Sequence, residues 1–234
     1  CGHRFTVTSP PLLLTVPIEH ARTVSSLVYR AQGTPAGTFV MAHGAGADQH
    51  SAFMTRFAQA LAQLGVDLVT FNFPYTEQRR RLPDRPPVLE ACFEAVIETV
   101  RRQVPSALAK LIIGGKSMGG RMATHLVASR PTLRVAGLVL LGYPLHPPGR
   151  PEHRRDAHLG SIARPMLVVQ GERDTFGTPT ELSPVLARLS PVPDLHVVAG
   201  GDHSFKVSRV SRAEQETVDA HIQRAIADWI GRLA

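Results

Sequence analysis

A serine, a carboxylate and a histidine stand in this chain in the order Ser117, Asp174, His203, and together they are the equipment of acyl transfer. Serine at its free pKa is a weak nucleophile, so a base must take its proton on attack and later return it to the leaving group. Imidazole does both, and a carboxylate fixes its tautomer and stabilises its cation. Ser117 sits in Gly115-Lys116-Ser117-Met118-Gly119-Gly120, after the apolar run Leu111 to Gly114 and before a helical candidate containing Met122, Leu126 and Val127. Strand, sharp turn and helix form the context that a G-x-S-x-G pattern needs. It predicts a strained backbone at Ser117, neighbours without side chains at Gly115, Gly119 and Gly120, and a helix N-terminus favouring negative charge at the hydroxyl.

Asp174 follows the run Pro165 to Gln170, and His203 follows Leu195 to Ala199, so each candidate lies just past the end of an apolar segment. Asp202 is a rival carboxylate, but a residue adjacent to His203 on the same loop usually points elsewhere. The oxyanion of a tetrahedral intermediate needs two backbone donors. One is expected from Met118, the residue after the nucleophile, and one from the loop His43-Gly44-Ala45-Gly46, with Ala45 preferred to Gly44.

Other patterns fail on inspection. Gly115-Lys116-Ser117 resembles the end of a phosphate-binding loop, but Lys110 stands where that motif requires its first glycine. Gly44 and Gly46 begin a G-x-G-x-x-G fingerprint that Gln49 breaks. His43 and His50 belong to no metal-ligand pattern, so His43 is expected to stabilise its loop, and neither a metal nor an organic cofactor is expected. Lys116 is expected in a structural ion pair, and His146, His153 and His158 as polar loop residues.

The elements that must hold these residues read as a parallel α/β pattern. Apolar runs at Gly37 to Ala42, Asp67 to Phe73, Leu111 to Gly114, Val135 to Leu141, Pro165 to Gln170 and Leu195 to Ala199 suit strands covered on both faces. Helical stripes lie between and after them: Phe53, Phe57, Leu61 and Leu64, then Val218, Ile222, Ile226 and Leu233. Two earlier pieces, Leu12 to Val16 and Val24 to Tyr29, separated by Pro17, read as antiparallel strands leading into the sheet. In such sheets ligands bind beyond the carboxyl ends of the strands, where all four candidate loops lie.

With 234 residues, 43% hydrophobic and 19% charged, the chain is expected to fold as a single domain, residues 1–234, that buries roughly 70% of its extended-chain surface. Its two cysteines, Cys1 and Cys92, make no disulfide or ligand framework, and its apolar runs are too short to span a membrane. Cys1 suits the lipid-bearing residue of a processed lipoprotein less well than a renumbered start; a cytoplasmic protein is expected, with no membrane partner. The net charge of +7 invites a nucleic-acid reading, but 6% aromatics and the lack of a basic recognition motif argue against it, and 23 arginines against 3 lysines suggest a compositional bias. Arg79, Arg80, Arg81, Arg85, Arg150, Arg154 and Arg155 follow two strands on the carboxyl edge, and are expected either to ring Ser117 and steer anionic substrates or to be solvated background. The 23 residues from Gly142 to Arg164 leave room for a short helix and none for a lid, so the site is expected to be open and shallow.

The chain resembles an α/β-hydrolase over nearly its whole length. More narrowly, His-Gly-Ala-Gly-Ala at 43 to 47, Gly-Gly-Lys-Ser-Met-Gly-Gly-Arg at 114 to 121, Gly-Tyr-Pro-Leu-His-Pro-Pro-Gly at 142 to 149 and Asp-His-Ser-Phe at 202 to 205 resemble one branch. It holds the testis-expressed and NSL-complex-subunit type hydrolase domains and is akin to dienelactone hydrolases. The resemblance implies an α/β-hydrolase fold with no lid domain: a mostly parallel sheet of about 7–8 strands, antiparallel N-terminal strands and helices on both faces. Thr175, after Asp174, departs from the proline expected there. The combined expectation is a serine hydrolase that cleaves small carboxylic esters or lactones through an acyl-enzyme. The alternative is an interaction or scaffold protein that keeps the fold with little or no catalysis.

Overall fold

A computed structural model describes residues 10–19 and 22–233; Cys1 lies outside them. Eight strands form one sheet in the order β1-β2-β4-β3-β5-β6-β7-β8. They are β1 (Leu12–Ile18), β2 (Arg22–Tyr29), β3 (Thr38–Ala42), β4 (Asp67–Phe71), β5 (Leu111–Lys116), β6 (Gly137–Leu141), β7 (Met166–Gly171) and β8 (Asp194–Val198). β1 and β2 are antiparallel to their neighbours and every other pairing is parallel. The expected N-terminal lead-in is present with one correction. β1 runs through Pro17, paired opposite Thr23, because an edge strand needs no outward donor at a proline.

The central strands β3 to β7 are buried along their whole length, as their near-continuous apolar sequence requires. Helices cover both faces, with α2 (Pro74–Glu77) and α4 (Ser106–Ala109) as single turns between the longer ones. On one side α3 (Pro86–Gln103), α5 (Met118–Ser129) and α6 (Pro179–Leu186) pack around Phe71, Phe93, Met122 and Leu140. On the other, α1 (Ala52–Gln63) and α7 (Arg212–Arg232) pack around Phe39, Phe57, Ile226 and Trp229. Both helical stripes read from the sequence point into this second core.

The chain leaves β3 for β4 on one side and returns to β5 on the other. At such a reversal two neighbouring post-strand loops diverge and open a crevice. The loop after β3 holds Gly44 and Ala45, and the turn after β5 holds Ser117. Between β6 and β7 the only helix among the described residues is the single 3₁₀ turn Leu159–Ser161, so this crossover carries no lid.

Candidate active site

The turn between β5 and α5 is built by close approach. Ser117 has φ 50° and ψ −114°, a conformation that non-glycine residues rarely adopt, and the strain expected there is present. A Cβ on Gly115 would lie 2.2 Å from the Ala42 carbonyl oxygen, and one on Gly119 would lie 2.4 Å from the same atom. Neither position accepts a side chain, because the backbone of β3 occupies the space. The turn is pinned from the other side by the Ser117 N–H, which donates to the Leu141 carbonyl at 2.9 Å.

The three residues named from the sequence come together. Ser117 Oγ lies 2.9 Å from His203 Nε2, and His203 Nδ1 lies 2.8 Å from Asp174 Oδ2. Asp174 is fully buried, so its carboxylate needs partners, and it has three. Besides the His203 ring, the Phe176 N–H donates to Oδ1 at 2.8 Å and the Gln170 side-chain amide donates to Oδ2 at 2.8 Å. Gln170 is held in turn by the Tyr143 N–H and the Gly177 carbonyl. The Phe176 ring stacks on His203 at 4.2 Å between centroids, fixing the imidazole plane. Asp202 is not a rival: its Oδ1 accepts from the Ser204 and Lys206 N–H groups.

Sequence reasoning missed Gln170 and Phe176. A signal for Gln170 existed, since a lone polar residue closing a strand buried on both faces must find partners. Phe176 had no signal, because its ring reaches His203 only when two loops distant in sequence meet.

Lys116 departs from expectation. It is 9% exposed, has no carboxylate within ion-pair distance among the described residues, and its Nζ donates to the His203 main-chain carbonyl at 2.6 Å, near the rings of Phe53 and Phe205. Burial lowers its pKa to about 8, against the opposing pull of Asp174 and Asp202. It ties the turn of Ser117 to the loop of His203. His43 behaves as expected: fully buried, with its pKa lowered by burial, it donates from Nδ1 to the Gly44 carbonyl and accepts the Phe73 N–H on Nε2. It thereby shapes the loop carrying Gly44 and Ala45. Among the described residues no group of three metal-ligating side chains is assembled.

Met118 opens α5, whose first N–H groups have no acceptor inside the helix. Met118, Gly44 and Ala45 all line one cavity with Ser117 and His203, of about 800 Å³. Its walls come from the start of α1 at Ala52 to Met54 and from Pro83, Asp84, Pro86 and Leu89 before and within α3. Of the seven expected rim arginines only Arg155 lines it; Arg80 is held by Asp84 and Arg154 by Asp156. The other cations on its wall are Arg56, Lys116, Arg121 and Lys206. His146 also corrects expectation, being buried against Glu181 at 3.1 Å, while His158 stacks on His125 and burial lowers its pKa to about 4. His153 stays exposed on its loop.

Solved structures share this architecture. An alpha-beta serine hydrolase homologue from Coxiella burnetii superposes with a TM-score of 0.72 at 18% identity, covering 96% of this chain and 99% of that one. An a/b serine hydrolase without lid from Xanthomonas campestris gives 0.70 at 21% identity, covering 97% and 98%. A dienelactone hydrolase from Anabaena variabilis gives 0.74 at 18% identity, covering 96% and 99%. At these identities the likeness is one of fold. The sequence itself matches the model of the alpha/beta hydrolase domain over residues 35–231, from just before β3 to the end of α7, and the chain belongs to that family.

Proposed function

We propose that this single-domain protein is a serine hydrolase that cleaves small carboxylic esters or lactones through an acyl-enzyme, with Ser117, His203 and Asp174 as its catalytic residues. The observation carrying this reading is the unbroken relay of 2.9 and 2.8 Å contacts, whose Ser117 and His203 line a cavity large enough for a small acyl group. Ser117 Oγ attacks the carbonyl carbon while His203 Nε2 takes its proton, and Asp174 stabilises the resulting imidazolium. The N–H groups of Met118 and of Ala45 or Gly44 receive the oxyanion. Collapse breaks the bond to the leaving alkoxide, which takes the proton from His203. Water then repeats the sequence on the acyl-enzyme, releasing the acid and restoring Ser117.

The local resemblance to the testis-expressed and NSL-complex-subunit branch, some of whose members serve as assembly subunits, supports the fold and makes a scaffold protein the second reading. A purely scaffolding role leaves the strained turn and the buried carboxylate without purpose. The test is labelling by a fluorophosphonate probe and turnover of a panel of 4-nitrophenyl esters. Wild-type protein is expected to be labelled at Ser117 and to turn over short acyl esters; absence of both would overturn the reading.

A further inference from the structure

The cavity lining carries charge that no acid among the described residues neutralises. Arg121 lies one helical turn beyond Ser117, its N–H donating to the Ser117 carbonyl at 3.1 Å, and its side chain lines the cavity together with that of Arg155. Both are half-buried. Among the described residues neither guanidinium has a carboxylate within 4 Å or a side-chain hydrogen bond. The surrounding acids are otherwise engaged: Asp84 with Arg80, Asp156 with Arg154, Glu181 with His146, Asp219 with Arg56, and Asp174 with His203.

The two charges act on each other and on their surroundings. Burial first, and then the charge of Arg121, lower the pKa of Arg155, and Arg121 also helps to lower those of His125 and His158. The histidines respond by staying neutral, an escape not open to arginine, which remains charged in proteins. The backbone of Arg155 is fixed meanwhile: its N–H donates to the Leu145 carbonyl and its carbonyl accepts the Tyr143 hydroxyl at 2.6 Å. Two partly desolvated cations without counter-charge destabilise a fold unless an anion arrives to pair with them. Arginine's planar fork binds a carboxylate through two parallel hydrogen bonds. The same cavity is lined by Met118, Pro144 and Phe176, apolar surface that suits a short carbon chain joining an anionic end to a scissile ester.

We propose that Arg121 and Arg155 form a subsite for a free carboxylate on the substrate, so that the favoured substrates are esters bearing a second, ionised carboxyl group. This rests on the serine hydrolase reading, and its test separates the two. Turnover of 4-nitrophenyl hydrogen adipate is compared with that of neutral 4-nitrophenyl hexanoate, of equal chain length, at low salt. Wild-type kcat/KM is expected to favour the anionic ester at least tenfold, and the preference to shrink as salt is raised. The R121Q/R155Q double variant should lose at least tenfold of that ratio, with R155Q alone, the milder change, losing part of it. R79Q/R81Q, which alters two exposed arginines outside the cavity, should keep it.

Adipate binding to the Ser117→Ala protein, measured by calorimetry, needs no turnover. Binding that R155Q weakens tenfold supports the subsite even if no ester is cleaved, in which case only the hydrolase reading fails. A ratio near one in the wild-type protein, or a ratio unchanged in the arginine variants, overturns the subsite while leaving the hydrolase reading intact.

Discussion

The two walls of the cavity are built on opposite principles. On the relay wall each hydrogen-bonding group has a partner: Asp174 accepts three donors, Gln170 is held at both ends of its amide, and Lys116 is bound to the His203 carbonyl. Elsewhere on the lining Arg121 and Arg155 have no side-chain partner among the described residues. A fully satisfied network in a low dielectric is rigid and preorganised for one geometry. An unsatisfied pair of cations waits for something the protein does not supply. One wall has the character of chemistry, the other of selection.

The most severe way to break that contrast is to remove the chemistry. Ser117→Ala or His203→Ala should lower kcat by about 10⁴-fold or more, with residual activity from the oxyanion donors and binding. Asp174→Asn should cost somewhat less, about 10³- to 10⁴-fold, because the amide favours the wrong imidazole tautomer. Steady-state kinetics on a short-chain ester measure both. A Ser117→Ala protein as active as wild type would mean that the partnered wall is structural.

Gln170→Leu asks how far the network behind Asp174 matters. It removes one donor to a buried carboxylate and leaves the Tyr143 N–H without its acceptor. The expected outcome is a fall of about 10- to 100-fold in kcat with little change in KM, together with a loss of about 1–3 kcal/mol of stability in urea unfolding.

Lys116→Met probes the tie between the two loops at smaller cost. Rate is expected to fall about threefold to tenfold through looser placement of His203, with KM nearly unchanged. The variant also carries a pH signature. The Lys116 pKa is about 8 in the folded protein and near 10.4 in the unfolded chain, so between those values the unfolded state holds more protons and wild-type stability gains from rising pH. The difference in urea midpoint between wild type and Lys116→Met should therefore move in favour of wild type from about pH 8 to about pH 10, a window that comparing the two proteins isolates from the tyrosines.

The smallest expected effect lies outside the relay. Burial lowers the pKa values of His43, His125, His158 and His196, so below about pH 6.5 the unfolded chain binds more protons and stability falls as pH falls. His158→Gln should flatten that fall between about pH 6.5 and about 4, the folded-state value, by a few degrees in a thermal melt. The relay should stay untouched, with kcat at pH 8 within about twofold of wild type. A loss comparable to that in Gln170→Leu would show that the two walls are coupled.

How much was legible differs between these regions for a physical reason. The central strands could be read because strands buried on both faces need unbroken apolar sequence, and β3 to β7 have it. Their ends were less clear: β5 runs two residues past the expected end, through Gly115 and Lys116, because pairing with β3 and β6 continues there. The candidate triad was legible because each member lies within a few residues of a strand's carboxyl end, so a local pattern stands in for a position in space. The cavity wall from Pro83 to Leu89 was not, since nothing local shows which loop will lean over which strand end.

By itself, then, the sequence determined the strand series, the strained turn at Ser117 and the chain order of serine, carboxylate and histidine, since these follow from apolar periodicity and backbone sterics within a few residues. Only the tertiary structure decided that Gln170 and Phe176 hold Asp174 and His203, that Lys116 meets a carbonyl and not a carboxylate, and that among the described residues Arg121 and Arg155 line the cavity without a carboxylate partner. Apart from the four-residue step from Gln170 to Asp174, which the distant Tyr143 N–H orients, those outcomes depend on contacts between segments tens of residues apart. The direction of a side chain leaving a loop is settled by what it meets when the sheet closes around it.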